Sequence, residues 1–159
     1  MILILFFYFI SGFIFSQNIE VVLEKNISSI KKSFNYNEVE NFKLDKDFKN
    51  RYRLKINVKN DAENSITAVV FRYSFSLVVK KDEKLFNTVS LFSSYFRISE
   101  LKKSSIKKVY IYEINNLVDE IKKYIQAGYI PFLIKVDIMR EPKKGYDFAF
   151  YSKEFQIFH

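Results

Sequence analysis

The clearest pattern in the chain starts at Arg51. Tyr52, Leu54, Ile56 and Val58 alternate there with Arg51, Arg53, Lys55, Asn57 and Lys59. A period of two sends successive side chains to opposite faces of an extended strand, so the segment predicts a half-buried β-strand carrying a row of cations outside. Asn60 to Ser65 is dense in turn formers. A longer alternation follows, with Val69, Phe71, Tyr73, Phe75, Leu77 and Val79 on one face and Ala68, Val70, Arg72, Ser74 and Ser76 on the other. Lys80 to Lys84 turns the chain and Leu85 to Phe92 returns it, which reads as an antiparallel meander. A lysine-rich loop from Leu101 to Lys108 leads into Val109-Tyr110-Ile111-Tyr112, a strand apolar on both faces and so expected to be covered on both sides.

One helix is predicted, from Asn116 to Ala127. Asn115 or Asn116 can cap it, Leu117, Ile121, Tyr124 and Ile125 form its apolar stripe, and Gly128 ends it. Asp119 stands four residues before Lys123, the favourable order for an ion pair along a helix. Ile130 to Arg140 and Tyr146 to Phe158 read as strands joined by a hairpin at Glu141 to Gly145. Asn18 to Lys32 fits a strand or a short helix, and its β-branched residues favour the strand. Ser33 to Lys49 reads as a long connection with room for one short strand. The fold class expected from these elements is mainly β: an antiparallel immunoglobulin-like β-sandwich with one inserted α-helix, a small barrel being the alternative.

The first residues follow no such alternation. Ile2 to Ile10 is an uninterrupted apolar run, then come Ser11-Gly12 and a second apolar stretch to Phe15. Small Ser16 before Gln17 suits signal-peptidase cleavage, so residues 1–16 are expected to be a signal peptide and residues 17–159 a single β-sandwich domain. This aromatic-rich leader resembles those of exported proteins of flavobacteria and their relatives. The alternative is an uncleaved membrane anchor, because no Lys or Arg precedes the run. No internal repeat or interdomain linker divides the remainder.

Leu54-Lys-Ile-Asn-Val-Lys-Asn60, a polar turn, Ile66-Thr-Ala-Val-Val-Phe-Arg72 and the charged hairpin Lys80 to Lys84 together resemble small bacterial extracellular immunoglobulin-like modules of the FxLYD and telokin-like kind. That resemblance implies an accessory role, in which the module binds, spaces or stabilises and has no shared catalytic residues. The predicted helix is not part of the usual pattern of those modules.

Composition narrows the chemistry. Hydrophobic residues make up 48% and charged residues 28% of the 159, the balance of a chain that can bury a core. With no Cys, disulfides, thiolate metal sites, cysteine nucleophiles and lipoprotein acylation are excluded. The single His is the terminal His159, a poor general base, and no Ser sits in a Gly-x-Ser-x-Gly elbow. Gly occurs only at 12, 128 and 145, which rules out a glycine-rich phosphate loop. Two carboxylate pairs come into question. Asp45 and Asp47 read as a solvated turn or part of a Ca²⁺ loop, and Asp137 and Asp147 as strand-surface partners of Lys135 or Lys153 or as an acid–base pair. No metal, cofactor or catalytic residue is assigned.

The net charge of +8 would favour nucleic acid in a cytosolic protein, but export argues against that partner. The best surface feature is the row Arg51, Arg53, Lys55 and Lys59, extended by Arg72 if that residue lies on a neighbouring strand. It reads either as a contact for an anionic partner or as an ordinary outer face on which long stems cover apolar surface. Tyr110, Tyr112, Tyr146, Phe148, Phe150 and Tyr151 exceed what one small core needs, and either stack on sugars, form an interface, or lie under the helix. The expected function is an exported, periplasmic or secreted accessory binding module of the cell envelope. Its partner would be an envelope protein or an anionic glycan or lipid. The alternatives are a small polysaccharide-active hydrolase using Asp137 and Asp147, and a membrane-anchored subunit that keeps residues 2–15.

Overall fold

A computed structural model of the chain describes residues 17–28, 34–44, 51–88, 90–143 and 149–158. In chain order the elements are β1 (Gln17–Asn26), β2 (Tyr36–Val39), β3 (Phe42–Lys43), β4 (Tyr52–Asn60), β5 (Ile66–Lys81), β6 (Lys84–Asn87), β7 (Phe92–Leu101), β8 (Ile106–Ile111), a 3₁₀ turn (Glu113–Asn116), α1 (Leu117–Gln126), β9 (Ile130–Arg140) and β10 (Phe150–Phe158). Residues 1–16, expected to be a signal peptide, and Asp45, Asp47, Tyr146, Asp147, Phe148 and His159 lie outside the described residues.

Two sheets share one core in a sandwich-like arrangement. Sheet I has the order β2-β1-β4-β8, and sheet II the order β3-β10-β9-β5, with β6 and β7 following one another along the far edge of β5. Every pairing is antiparallel except the short parallel contact of β3 with β10. The alternation read from β4 and β5 sets which side faces in. Leu54, Ile56 and Val58 meet Phe71, Phe75 and Leu77 across the core, with Leu23 and Ile111 joining from sheet I and Ile134, Val136, Ile138 and Phe155 from sheet II. Tyr52 ties the two layers together. Its ring lies 4.8 Å from that of Phe42 on β3, and its hydroxyl accepts a hydrogen bond from the Lys43 N–H at 3.0 Å.

The chain returning from the Lys81–Lys84 turn runs further than its sequence indicates. The ladder to β5 is interrupted after Asn87, where the Thr88 N–H donates to the Leu77 carbonyl at 2.8 Å and the Thr88 hydroxyl accepts from the Leu77 N–H at 2.8 Å. It then resumes as β7 and continues to Leu101, because Phe96 and Ile98 pair opposite Phe71 and Val69. Three serines in β7 hid this strand from a reading based on β-propensity. The segment from Asn18 onward is a strand through Asn26, and the connection after it holds β2 and β3.

α1 buries Leu117, Val118 and Ile121 and ends at Gly128, whose φ of +79° suits a residue without Cβ. Two expectations about this region are corrected. Neither Asn115 nor Asn116 caps the helix with its side chain, since a 3₁₀ turn precedes it. Lys123 pairs with Glu120 at 2.6 Å, while Asp119 pairs with Lys122 at 3.8 Å. Among the described residues, no helix is long and apolar enough to cross a membrane.

Asn115 has a different task. Its Oδ1 accepts from the Tyr52 N–H at 3.1 Å and its Nδ2 donates to the Tyr52 carbonyl at 2.7 Å. β8 pairs with β4 only as far as Ile111 opposite Leu54, so the Asn115 amide serves the next backbone pair that β8 no longer reaches. Replacing Asn115 by alanine is expected to cost about 2 kcal/mol by leaving both Tyr52 groups unmatched. Equilibrium urea unfolding would measure this. Asn115→Asp, which keeps the acceptor and loses the donor, should recover little.

Candidate functional site

The register of sheet I decides what becomes of the cation row. Glu24 on β1 stands directly across from Arg53 on β4, and Glu38 on β2 stands across from Glu24. Arg53 Nε donates to Glu24 Oε2 at 2.6 Å, and Lys55 Nζ lies 3.1 Å from Glu24 Oε1 and bonds Glu38 as well. Glu24 is 5% exposed, and burial alone would raise its carboxyl. The hydrogen bonds and charges of Arg53 and Lys55 outweigh that, holding the group below its ordinary value and keeping it ionised. For Arg53, burial works against the charge, but hydrogen bonds with Tyr112 and Glu24 raise its pKa further.

Two rings complete the setting of Arg53. The guanidinium carbon lies 3.8 Å from the ring centroid of Tyr36 on β2 and 4.1 Å from that of Tyr110 on β8. Cation–π attraction holds a flat guanidinium in such a position, and Nη1 is fixed in addition by a 3.2 Å bond to the Tyr112 hydroxyl. Tyr110 and Tyr112 are exposed, contrary to the expectation that this strand is covered on both sides. β8 is an edge strand of sheet I and α1 packs toward β9, so among the described residues no helix covers the outer face of β8.

Around Arg53 opens a cleft of about 860 Å³, lined by Phe34, Tyr36, Tyr110, Tyr112, Glu113 and the asparagines of the 3₁₀ turn. Its walls are aromatic and stand at an angle. Phe34 and Tyr36 are parallel within 9° at 6.3 Å, whereas Tyr36 and Tyr112 meet edge to face at 6.4 Å. Phe34 is 70% exposed, so most of its surface faces solvent. The arrangement offers ring faces together with fixed donors and acceptors, the chemistry of a recognition cleft.

The residues expected to form one basic face are dispersed. Arg53 and Lys55 sit in the Glu24–Glu38 network, and Lys59 is bound by Asp61 at 2.7 Å. Arg51 is half-buried just before β4, its carbonyl accepting from the Asn26 N–H at 2.7 Å. Arg72 is not on a neighbouring strand: β5 belongs to sheet II, so Arg72 projects from the opposite outer face and pairs with Glu141 at 2.5 Å. Asp137 lies on that same face opposite Ser74 and Ser152, with Lys135 at 3.5 Å. The acidic half of the network and Tyr36 were missed. The signal was present in Glu20 and Glu24, set four apart in a segment of uncertain period, and becomes readable once that segment is known to be a strand beside β4.

No protein-family model matches the chain, and no curated protein matches its sequence. Among solved structures it is similar to the crystal structure of Spo0M, a sporulation control protein from Bacillus subtilis, at 9% identity and a TM-score of 0.40. The match covers 89% of this chain and 49% of that one, so the chain spans just under half the length of that protein.

Proposed function

We propose that the chain is an exported accessory module of the cell envelope, an immunoglobulin-like sandwich that works by binding, and that it takes a glycan in the cleft on the outer face of sheet I. The observation that carries this reading is the fixed setting of Arg53. Stacked on two rings and bonded to Glu24 and Tyr112, the guanidinium has little freedom left to lose when a ligand arrives. Its Nη2 has no hydrogen-bond partner among the described residues. The crossings from β4 to β5 and from β7 to β8, which carry the chain between sheets, support the immunoglobulin-like reading.

Charge narrows the ligand. The cations Arg53 and Lys55 are balanced by Glu24 and Glu38, and Glu113 adds a further carboxylate to the cleft wall. Within the cleft itself the cations are matched by carboxylates, which favours a neutral ligand there: a sugar presents C–H faces to Phe34 and Tyr112 and hydroxyls to Arg53 and Glu113. The low-lying Glu24 carboxyl also supports binding over acid–base catalysis, since a general acid needs its proton held near neutral pH.

Affinity electrophoresis through gels containing a neutral glucan, a neutral mannan, an acidic pectate or solubilised peptidoglycan tests the reading. Retardation by a neutral polymer is expected, weakened about tenfold in Phe34→Ala and in Tyr112→Ala. Equal retardation of wild type and both variants, or retardation by pectate alone, would move the function away from this cleft. Export is tested separately by intact mass: a chain beginning at Gln17 in periplasm or medium is expected, and an intact Met1 in membranes would overturn it.

A further inference from the structure

With the β4 cations paired, the free positive charge of this face lies elsewhere. Lys102 and Lys103 on the connection from β7 to β8, and Lys107 and Lys108 at the start of β8, fall within seven residues, and all four are exposed. None makes an ion pair with any group among the described residues. Of the acidic groups nearby, Asp61 is held by Lys59 at 2.7 Å and Glu20 by Asn57 at 2.7 Å, while Glu63 and Glu100 reach none of the four. Between the two lysine pairs stands Ile106, 54% exposed.

This connection is built rather than loose. The buried Asn60 donates from Nδ2 to the carbonyls of Leu101 at 3.1 Å and Lys102 at 3.3 Å, and its N–H donates to Ser105 at 3.1 Å. The Ser104 N–H returns a bond to the Asn60 carbonyl at 3.0 Å, and the Ser105 hydroxyl donates to the Lys102 carbonyl at 2.6 Å. Ser104 has a φ of +52°, the left-handed conformation that makes the turn tight. The lysines therefore extend from a backbone already ordered, and contact with a charged surface requires no further folding.

We propose that this turn, together with the start of β8, is a contact site for an anionic lipid surface. Four unpaired lysines supply attraction to phosphate headgroups, and Ile106 among them supplies an aliphatic side chain that gains free energy at the acyl boundary. It is that apolar residue which favours a bilayer over a soluble polyanion. The contact lies along the same strand pair as the cleft: Arg53 is four residues from Asn57, which pairs with Lys108, and six from Lys59, which pairs with Ile106, about 13 and 20 Å on an extended strand.

The test is co-sedimentation of the purified protein with vesicles of phosphatidylcholine alone and of phosphatidylcholine with about one-third phosphatidylglycerol. Binding to the anionic vesicles only is expected, falling as salt rises. At about fivefold per lysine, Lys107→Gln with Lys108→Gln should weaken it about twenty-five-fold. Ile106→Gln should weaken vesicle binding several-fold and leave binding to heparin unchanged. These side chains make no bonds to other described residues, so melting temperatures should match wild type. Equal binding to both vesicle types, or lysine variants that bind as wild type, would overturn the proposal. Binding to heparin without binding to anionic vesicles would also overturn it, and would assign the turn to a soluble polyanion.

Discussion

Asn60→Ala is expected to destabilise the protein by about 3–4 kcal/mol, a large share of the stability of a domain this size. The Asn60 side chain is fully buried and meets the backbone of two separate connections. Nδ2 donates to the carbonyls of Asn64 at 2.9 Å, Leu101 at 3.1 Å and Lys102 at 3.3 Å, and Oδ1 accepts from the Ala62 N–H at 3.0 Å. Each bond contributes on the order of 1 kcal/mol net, and stranding the partners away from water costs more than the bonds contributed. Asn60→Asp is the sharper comparison. It keeps the acceptor for Ala62 but loses the donor and points a carboxylate at three carbonyl oxygens, so it should cost at least as much as alanine. Urea unfolding curves of the three proteins decide this. A cost below about 1 kcal/mol for alanine would mean that water enters and replaces the amide.

Asn60 also illustrates what the sequence conceals. Asn60 to Ser65 is readable as a turn from its composition, and that much is right. Nothing local indicates that the first of those residues also organises Leu101 to Ser105, because its partners lie 41 and 42 residues away. The same limit explains the site. The inward and outward faces of β4 and β5 follow from period two, and the structure keeps both assignments. Which strand lies beside β4 does not follow from any pattern within β4. A cation row opposite solvent is a binding face, whereas the same row opposite Glu24 and Glu38 is an internal network. The condition for Arg72 to extend the row fails for the same reason, since β4 and β5 are consecutive in sequence but the chain changes sheet between them. The lysines read as a solvated loop from Leu101 to Lys108 are exposed, but the loop is shorter than that: Leu101 is buried at the end of β7, and Ile106 to Lys108 already pair with β4 as the start of β8.

The second large effect is expected at the Glu24–Arg53 pair. Removing one partner of a buried ion pair strands the other, so Glu24→Ala should cost about 3 kcal/mol at neutral pH, moderated because Lys55 retains Glu38. The pH dependence identifies the cause. Glu24 is held below its ordinary value of 4.5, so between the folded and unfolded values the unfolded chain binds the extra proton. Its contribution is complete above 4.5 and is lost as pH falls through the folded value. The stability gap between wild type and Glu24→Gln should therefore close on acidification. A gap that widens would mean that burial dominates and that the carboxyl is protonated in the fold. Arg53→Lys separates stability from recognition. It keeps a cation near Glu24 but surrenders the flat group held between Tyr36 and Tyr110 and the bond to Tyr112. Stability should fall by only about 1–2 kcal/mol while glycan retardation falls to the background of an unrelated protein. A lysine variant that still binds would show that Arg53 acts by its charge alone, and the shape of the cleft would then have to be explained by its rings.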